Sequence, residues 1–190
     1  MAMLALTFDD GPDPEWTPRL LDVLRDAGAV ATFFPIASRA AAHPCVISRI
    51  LADGHEVGLH CEDHARHSRR SIEWGRRDTA RALRLLGSVG VRPTLWRTPW
   101  GATAPWSHLV ARENRLRIVR WTVDTHDWRG DAAGQMFRAT RPRLRPGAIV
   151  LAHDGIGPGA KRTDARETVA YTRLIVEHAS DAGLELRPAA

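Results

Sequence analysis

Short apolar runs alternate along this chain with longer segments of helical period, and that alternation constrains the fold more than any other feature. The runs are Met3 to Phe8, Ala31 to Ile36, Glu56 to His60, Thr94 to Arg97, Arg117 to Trp121 and Ala148 to Ala152, with a last one from Leu184 to Arg187. They are too short for stable helices and too apolar for loops. Interleaved with helix-length segments, they predict parallel strands with helices packed outside them, an α/β fold.

The intervening segments carry their own signals. Thr17 to Ala27 places Leu20, Leu21, Val23 and Leu24 on one face, and Gly28 follows as a stop. Ser71 to Val89 repeats the pattern, with Ala80, Leu83, Leu86 and Val89 apolar and Arg76, Arg77, Arg81 and Arg84 solvated. Thr163 to Ala182 reads the same way. Pro105 suits the first turn of a short helix to about Asn114, and Asp131 suits the cap of one ending before Pro142. No repeat or Pro/Gly linker divides the chain. With 190 residues, 44% of them hydrophobic, residues 1–190 are expected to form one domain around one core.

Charge and composition exclude several classes of function. The net charge is +5, but the basic residues are nearly all Arg, with Lys161 the one lysine, and acids are interspersed among them. No basic run with interleaved aromatics is present, which argues against nucleic acid as a partner. No apolar run approaches the roughly 20 residues of a membrane span. Nor does any feature point to an obligatory protein partner. Cys45 and Cys61 are too few for a disulfide framework and are expected to be reduced. Since a strand-like segment begins at Met3 with no leader ahead of it, a cytoplasmic protein is expected, or a secreted one if a leader was removed.

Polar residues able to do chemistry gather at the ends of the expected strands. Asp9 and Asp10 follow the first, His60 ends the third, Arg97 ends the fourth, Asp124 and Asp127 follow the fifth, and His153 follows the sixth. Loops at the carboxyl ends of parallel strands converge on one crevice, so five separate segments point to one place. In an extended segment the neighbours Asp9 and Asp10 diverge, leaving one to reach a metal while the other stays free. His60 and His64, four apart, suit two imidazoles meeting one cation, and a carboxylate plus two histidines leaves positions open for water and substrate. Glu62 and Asp63 rank below Asp10 as ligands. His153 suits an acid or base, with Asp127 or Asp124 raising its pKa, and Arg97 is placed to pair with Asp9. Trp100, Trp106 and Trp128 fall outside the apolar runs, and indoles at a cleft suit the flat faces of sugar rings.

Taken together, these residues resemble the polysaccharide deacetylases of the NodB-homology type, carbohydrate esterase family 4. The matching segments are Thr7-Phe8-Asp9-Asp10-Gly11-Pro12, His60-Cys61-Glu62-Asp63-His64, Arg97-Thr98-Pro99-Trp100-Gly101, Asp124-Thr125-His126-Asp127-Trp128 and Leu151-Ala152-His153, in that order along nearly the whole chain. The resemblance implies a distorted, incomplete, seven-stranded (β/α) barrel and a divalent metal, zinc or alternatively cobalt, held by Asp10, His60 and His64. It implies Asp9 as base with Arg97 behind it, His153 as acid oriented by Asp127, and Trp128 and Leu151 walling an acetyl pocket. Trp100 is expected to contribute to substrate and oxyanion binding, and Asp124 to support the site from behind. The implied reaction is hydrolytic N-deacetylation of a sugar or polysaccharide of the chitooligosaccharide or peptidoglycan type. The alternatives are an O-deacetylase such as an acetylxylan esterase, a deacetylase of a small metabolite, and a carbohydrate-binding protein without catalysis. One departure stands beside the metal histidines: Cys61 occupies a position where Ser or Thr usually braces the loop.

Overall fold

The computed structural model describes residues 2–189; Met1 and Ala190, the two ends of the expected domain, lie outside the described residues. At its centre is β1 (Ala2–Asp9), paired in parallel with β2 (Thr32–Phe34) on one side and β7 (Ile149–His153) on the other. Beyond β2 lies β3 (Glu56–Val57), and beyond β7 lies β6 (Val123–Asp124). A second parallel ladder joins β4 (Leu95–Trp96) to β5 (Arg117–Ile118), and a bridge from Leu59 to Trp96 links it to the end of β3. The series β6-β7-β1-β2-β3-β4-β5 therefore wraps into a barrel, with no described ladder joining β5 to β6. The barrel is incomplete, as expected. An eighth strand, β8 (Leu184–Leu186), pairs with the start of β1 outside this series.

Because β1 is central and covered on both faces, it is buried continuously from Leu4 to Asp9 rather than alternately. Phe8 stacks on Phe33 of β2 with ring centroids 5.1 Å apart. Leu20, Leu21 and Leu24 of α1 (Trp16–Asp26) pack into the same core, each burial contributing roughly 1.5–3 kcal/mol. That helix ends where expected, with Gly28 at a left-handed φ of 61°. The long helices α4 (Ile72–Ser88) and α7 (Arg166–Asp181) and the short helices α5 (Pro105–Glu113) and α6 (Ala133–Thr140) also lie where the periodicity puts them. No helix among the described residues is long and apolar enough to cross a membrane.

Several local expectations are corrected. The run Arg117 to Trp121 is a strand only over Arg117–Ile118, and Asp124 belongs to a strand of its own, β6, too short for any periodicity to reveal. Two helices were not anticipated, α2 (Ala37–Ala42) and α3 (Pro44–Ala52), which are split by His43 and Pro44 into pieces below the length at which a 3.6-residue period stands out. In α4 the buried stripe runs through Gly75, Asp78, Thr79, Ala82 and Leu86, while Ala80 is exposed. Two polar residues in the stripe shifted its apparent phase. Asp131 does not cap α6; Glu167 of α7 accepts the Ala133 N–H instead, at 2.8 Å.

Candidate metal centre and catalytic cleft

The carboxyl ends of the strands open into a cleft of about 460 Å³, and Asp9, Asp10, His60, His64, Trp100, Asp124, Trp128, Leu151 and His153 all line it. The parallel register sets Asp9 of β1 beside His153 of β7. In a continued strand Asp10 would point away from Asp9. Its backbone is left-handed instead, with φ of 72°, and this turn brings both neighbouring carboxylates to one cleft.

Asp10 Oδ1 lies 3.3 Å from His60 Nε2 and 3.4 Å from His64 Nε2, and one ligand atom from each residue falls within 4.8 Å of the other two. Those separations are long for N–H···O hydrogen bonds. They match the edge of a tetrahedron with metal–ligand bonds of about 2.0–2.1 Å, an edge of roughly 3.4 Å. Asp10 Oδ1 is buried and has no hydrogen-bond donor, a cost that a cation bound by the three residues would remove. His60 Nδ1 sits 2.7 Å from the Arg97 carbonyl, which fixes the tautomer that leaves Nε2 free. Burial pushes the His60 pKa down, but Asp10 and Asp9 outweigh it and hold it above the ordinary value. Burial and the charge on His60 push His64 down to about 4, the neutral form a ligand needs. Burial opposes ionisation of Asp10, yet His60 and the other imidazoles hold it well below the usual carboxylate range. The donor set fits a divalent cation of the zinc type. Glu62 turns away to the Ser38 N–H and Arg81, and Asp63 is exposed.

Asp9 is nearly fully buried, and Arg97 Nη1 reaches its Oδ1 at 3.0 Å and Thr7 Oγ1 at 2.6 Å. Arg97 is wholly buried, with its guanidinium over the Phe34 ring at 4.4 Å. Across the cleft, His153 Nδ1 meets Asp127 Oδ1 at 2.7 Å, and the His153 N–H donates to Asp127 Oδ2 at 2.9 Å. Burial would lower the His153 pKa, but Asp127 overcomes it and raises it to about 9. Burial likewise resists ionisation of Asp127, and His153, Arg162 and Thr168 together bring it down to about 2. Of the two candidate partners for His153, Asp127 makes the contact. Asp124 accepts the His126 N–H at 2.8 Å and meets His126 Nδ1 at 3.1 Å, so it orders the loop in the cleft wall.

The tryptophans divide. Trp100 is 40% exposed at a left-handed φ of 54° and packs its edge against His64, centroids 4.2 Å apart. Trp128 and Leu151 line the cleft. Trp106 does not; it lies on α5, stacks on buried His67 at 4.7 Å and donates to the Arg70 carbonyl. Its expected place at the cleft is taken by Trp121.

Four supporting residues escaped the sequence reading. Asp78 of α4 accepts the backbone N–H groups of Glu62 at 3.3 Å and Asp63 at 2.7 Å, bracing the loop between His60 and His64. It supplies from a helix the support that Cys61, buried and with its thiol pushed up by burial and nearby carboxylates, does not. Its polarity in the buried stripe of α4 was the available signal. Arg162 Nη1 lies 3.2 Å from Asp127 Oδ2, and its Nη2 donates to the carbonyls of His153 and Gly155. Arg39 donates to the carbonyls of Asp10 and Ile156. Asp154 accepts from the Gly11 N–H at 3.2 Å and Thr17 Oγ1 at 2.6 Å, with its pKa driven up to about 7 by burial. Arg162, Arg39 and Asp154 hold the loop after β7 against Asp10, so closely that a Cβ on Gly157 would stand 1.8 Å from Asp10 Oδ2.

The polysaccharide deacetylase family profile matches residues 2–119, more than half of the chain. The chain is a polysaccharide deacetylase family member. A chitooligosaccharide deacetylase of Bradyrhizobium sp. (strain ANU 289) is 35% identical over 190 residues, covering 96% of this chain and 87% of that protein. The peptidoglycan-N-acetylglucosamine deacetylase PgdA of Listeria monocytogenes is 37% identical over 152 residues, or 80% of this chain and 32% of that longer protein. Among solved structures, the peptidoglycan deacetylase PdaC from Bacillus subtilis superposes with a TM-score of 0.87 at 28% identity, covering 99% of this chain and 88% of that one. The polysaccharide deacetylase fold thus accounts for the open barrel.

Proposed function

We propose that this protein is a divalent-metal-dependent hydrolase that removes the acetyl group from an N-acetylated sugar of the chitooligosaccharide or peptidoglycan type. The observation that carries the reading is the tetrahedral-edge spacing of Asp10 Oδ1 from His60 Nε2 and His64 Nε2, with a separate buried carboxylate, Asp9, lining the same cleft. A cation held by those three residues, zinc or alternatively cobalt, supplies Lewis-acid polarisation of the acetyl carbonyl and lowers the pKa of the attacking water. Asp9 takes the proton of that water, with Arg97 holding the carboxylate in place. The Trp100 backbone N–H is assigned to the developing oxyanion. An amine is a poor leaving group until protonated, and His153, held charged by Asp127, delivers the proton to the nitrogen. Trp128 and Leu151 wall the acetyl methyl, and the products are acetate and a free amino sugar.

Retention of Asp9, Arg97, Asp127 and His153 in paired geometry favours an enzyme over a sugar-binding protein, since binding alone needs neither pair. The test is acetate release from chitooligosaccharides, peptidoglycan fragments and acetylated xylan, with and without chelator and added zinc or cobalt. N-deacetylation that chelator abolishes and metal restores is the expected result. Release from xylan alone would make the protein an O-deacetylase. Asp9→Asn should keep metal and sugar binding while losing turnover; substantial turnover by that variant would remove Asp9 as base.

A further inference from the structure

Positive charge that the reaction does not use lies at the cleft, on Arg66 in its lining and on residues beside it. Arg66 lies across Trp100 with its guanidinium 4.6 Å from the ring centroid. In the loop after β6, Arg129 lies across Trp128 at 5.1 Å. Lys161, the chain's one lysine, is exposed, and its backbone N–H donates to the Trp128 carbonyl at 2.8 Å, which sets its backbone beside the same loop. Among the described residues no carboxylate oxygen stands within ion-pair distance of any of these three heads. The carboxylates that line the cleft are committed elsewhere: Asp10 to the two histidines, Asp9 to Arg97, and Asp124 to His126.

Unpaired arginines occur elsewhere on this arginine-rich surface. What sets Arg66 and Arg129 apart is that each holds its guanidinium over the ring of a tryptophan that lines the cleft. Stacking on an indole restrains a long side chain while leaving the N–H donors in the guanidinium plane free for a planar anion. It also changes what Trp100 offers. Arg66 stands over the indole and His64 packs against it, so the rim there presents a cation beside the exposed part of the ring.

We propose that the cleft selects an acetylated sugar chain that carries carboxylates next to the residue being deacetylated, and that Arg66 and Arg129, with Lys161 beside them, bind those carboxylates. The proposal rests on the deacetylase reading and narrows its substrate class from neutral to anionic glycans.

The experiment compares one substrate in two forms. A short N-acetylglucosamine oligosaccharide bearing 3-O-lactyl carboxylates is offered to the zinc-loaded full chain as the free acid and as its methyl ester, and acetate release is followed. The acid is expected to show kcat/KM about tenfold above the ester at low salt, with the gap closing toward unity near 0.5 M NaCl as the charges are screened. In the Arg66→Met/Arg129→Met double variant the acid-to-ester ratio should collapse, and in Arg66→Lys/Arg129→Lys it should recover in part, since charge returns without the planar fork. Equal rates for acid and ester, a preference for the ester, or an acid preference that survives the double methionine variant would overturn the proposal. If neither form releases acetate, the deacetylase reading fails on its own. The rim is then decided by calorimetric binding to zinc-loaded Asp9→Asn, where tighter binding of the acid upholds it and equal affinities refute it.

Discussion

Replacing Asp127 by Asn tests how the cleft keeps a histidine charged. In the native protein Asp127 Oδ1 holds His153 Nδ1 at 2.7 Å, and the imidazole pKa stands at about 9 against an ordinary 6.5. That displacement corresponds to about 3 kcal/mol in favour of the charged ring. Because burial acts in the opposite direction and only the more distant charges of Asp10 and Asp9 remain to oppose it, removing the carboxylate charge should drop the value well below about 9. At pH 7.5 the ring would pass from almost wholly protonated toward neutral. Asparagine adds a second effect. Its one oxygen is drawn to the Oδ2 position, where the His153 N–H, Thr168 and Arg162 converge, which turns the amide NH2 toward His153 Nδ1 and opposes a proton there. Acetate release at pH 7.5 should fall at least about tenfold, and the alkaline limb of kcat/KM should move down by about two pH units or more relative to the native enzyme. A dication in the metal site lowers the limb in both proteins, so the difference between them carries the test. The stability effect has a definite sign. A pKa raised by folding stabilises fully below 6.5, and the contribution disappears as pH rises through about 9. Identical alkaline limbs in the two proteins would refute the assignment of His153 as the acid charged by Asp127.

Asp78→Ala strands two backbone N–H groups between the metal histidines, and zinc affinity measured by chelator competition should weaken about 10–100-fold while Asp78→Glu retains most of it; unchanged affinity would show that the loop holds itself. Gly157→Ala forces a methyl onto Asp10 Oδ2, and both thermal stability and zinc affinity should fall, with a stability loss of about 1–3 kcal/mol read from urea unfolding; a variant that binds zinc as tightly as the native chain would mean the loop after β7 swings clear. Arg162→Met removes the cation beside Asp127 and the donors to the carbonyls of His153 and Gly155, and should lower kcat more than it raises KM; a pure KM effect would place Arg162 in substrate binding instead.

Much of the site was legible because parallel strands end where loops converge, so residues far apart in the chain could be assigned to one crevice from strand ends alone. Asp9, His60, Arg97 and His153 follow from that rule, and the Arg97–Asp9 pair follows from charge. The choice of Asp127 over Asp124 as the partner of His153 did not, because the two acids are three residues apart and only the turn through left-handed His126 decides which faces β7. Asp78, Arg162, Arg39 and Asp154 were invisible because each acts on backbone or side chains distant in sequence, and no local period marks such a contact.

The order of apolar runs and helical segments by itself determined an α/β fold of parallel strands with its chemistry at the strand ends, since a continuously apolar run such as β1 suits a strand covered on both faces; the barrel followed only from the resemblance. Tertiary structure alone decided the distances: 3.3 and 3.4 Å from Asp10 to two imidazoles, reached through a left-handed turn and a loop held by a helix on the far side. Periodicity specifies which face of an element is buried, but the spacing of ligand atoms depends on how separate elements pack, and that is set by contacts between residues the chain does not place side by side.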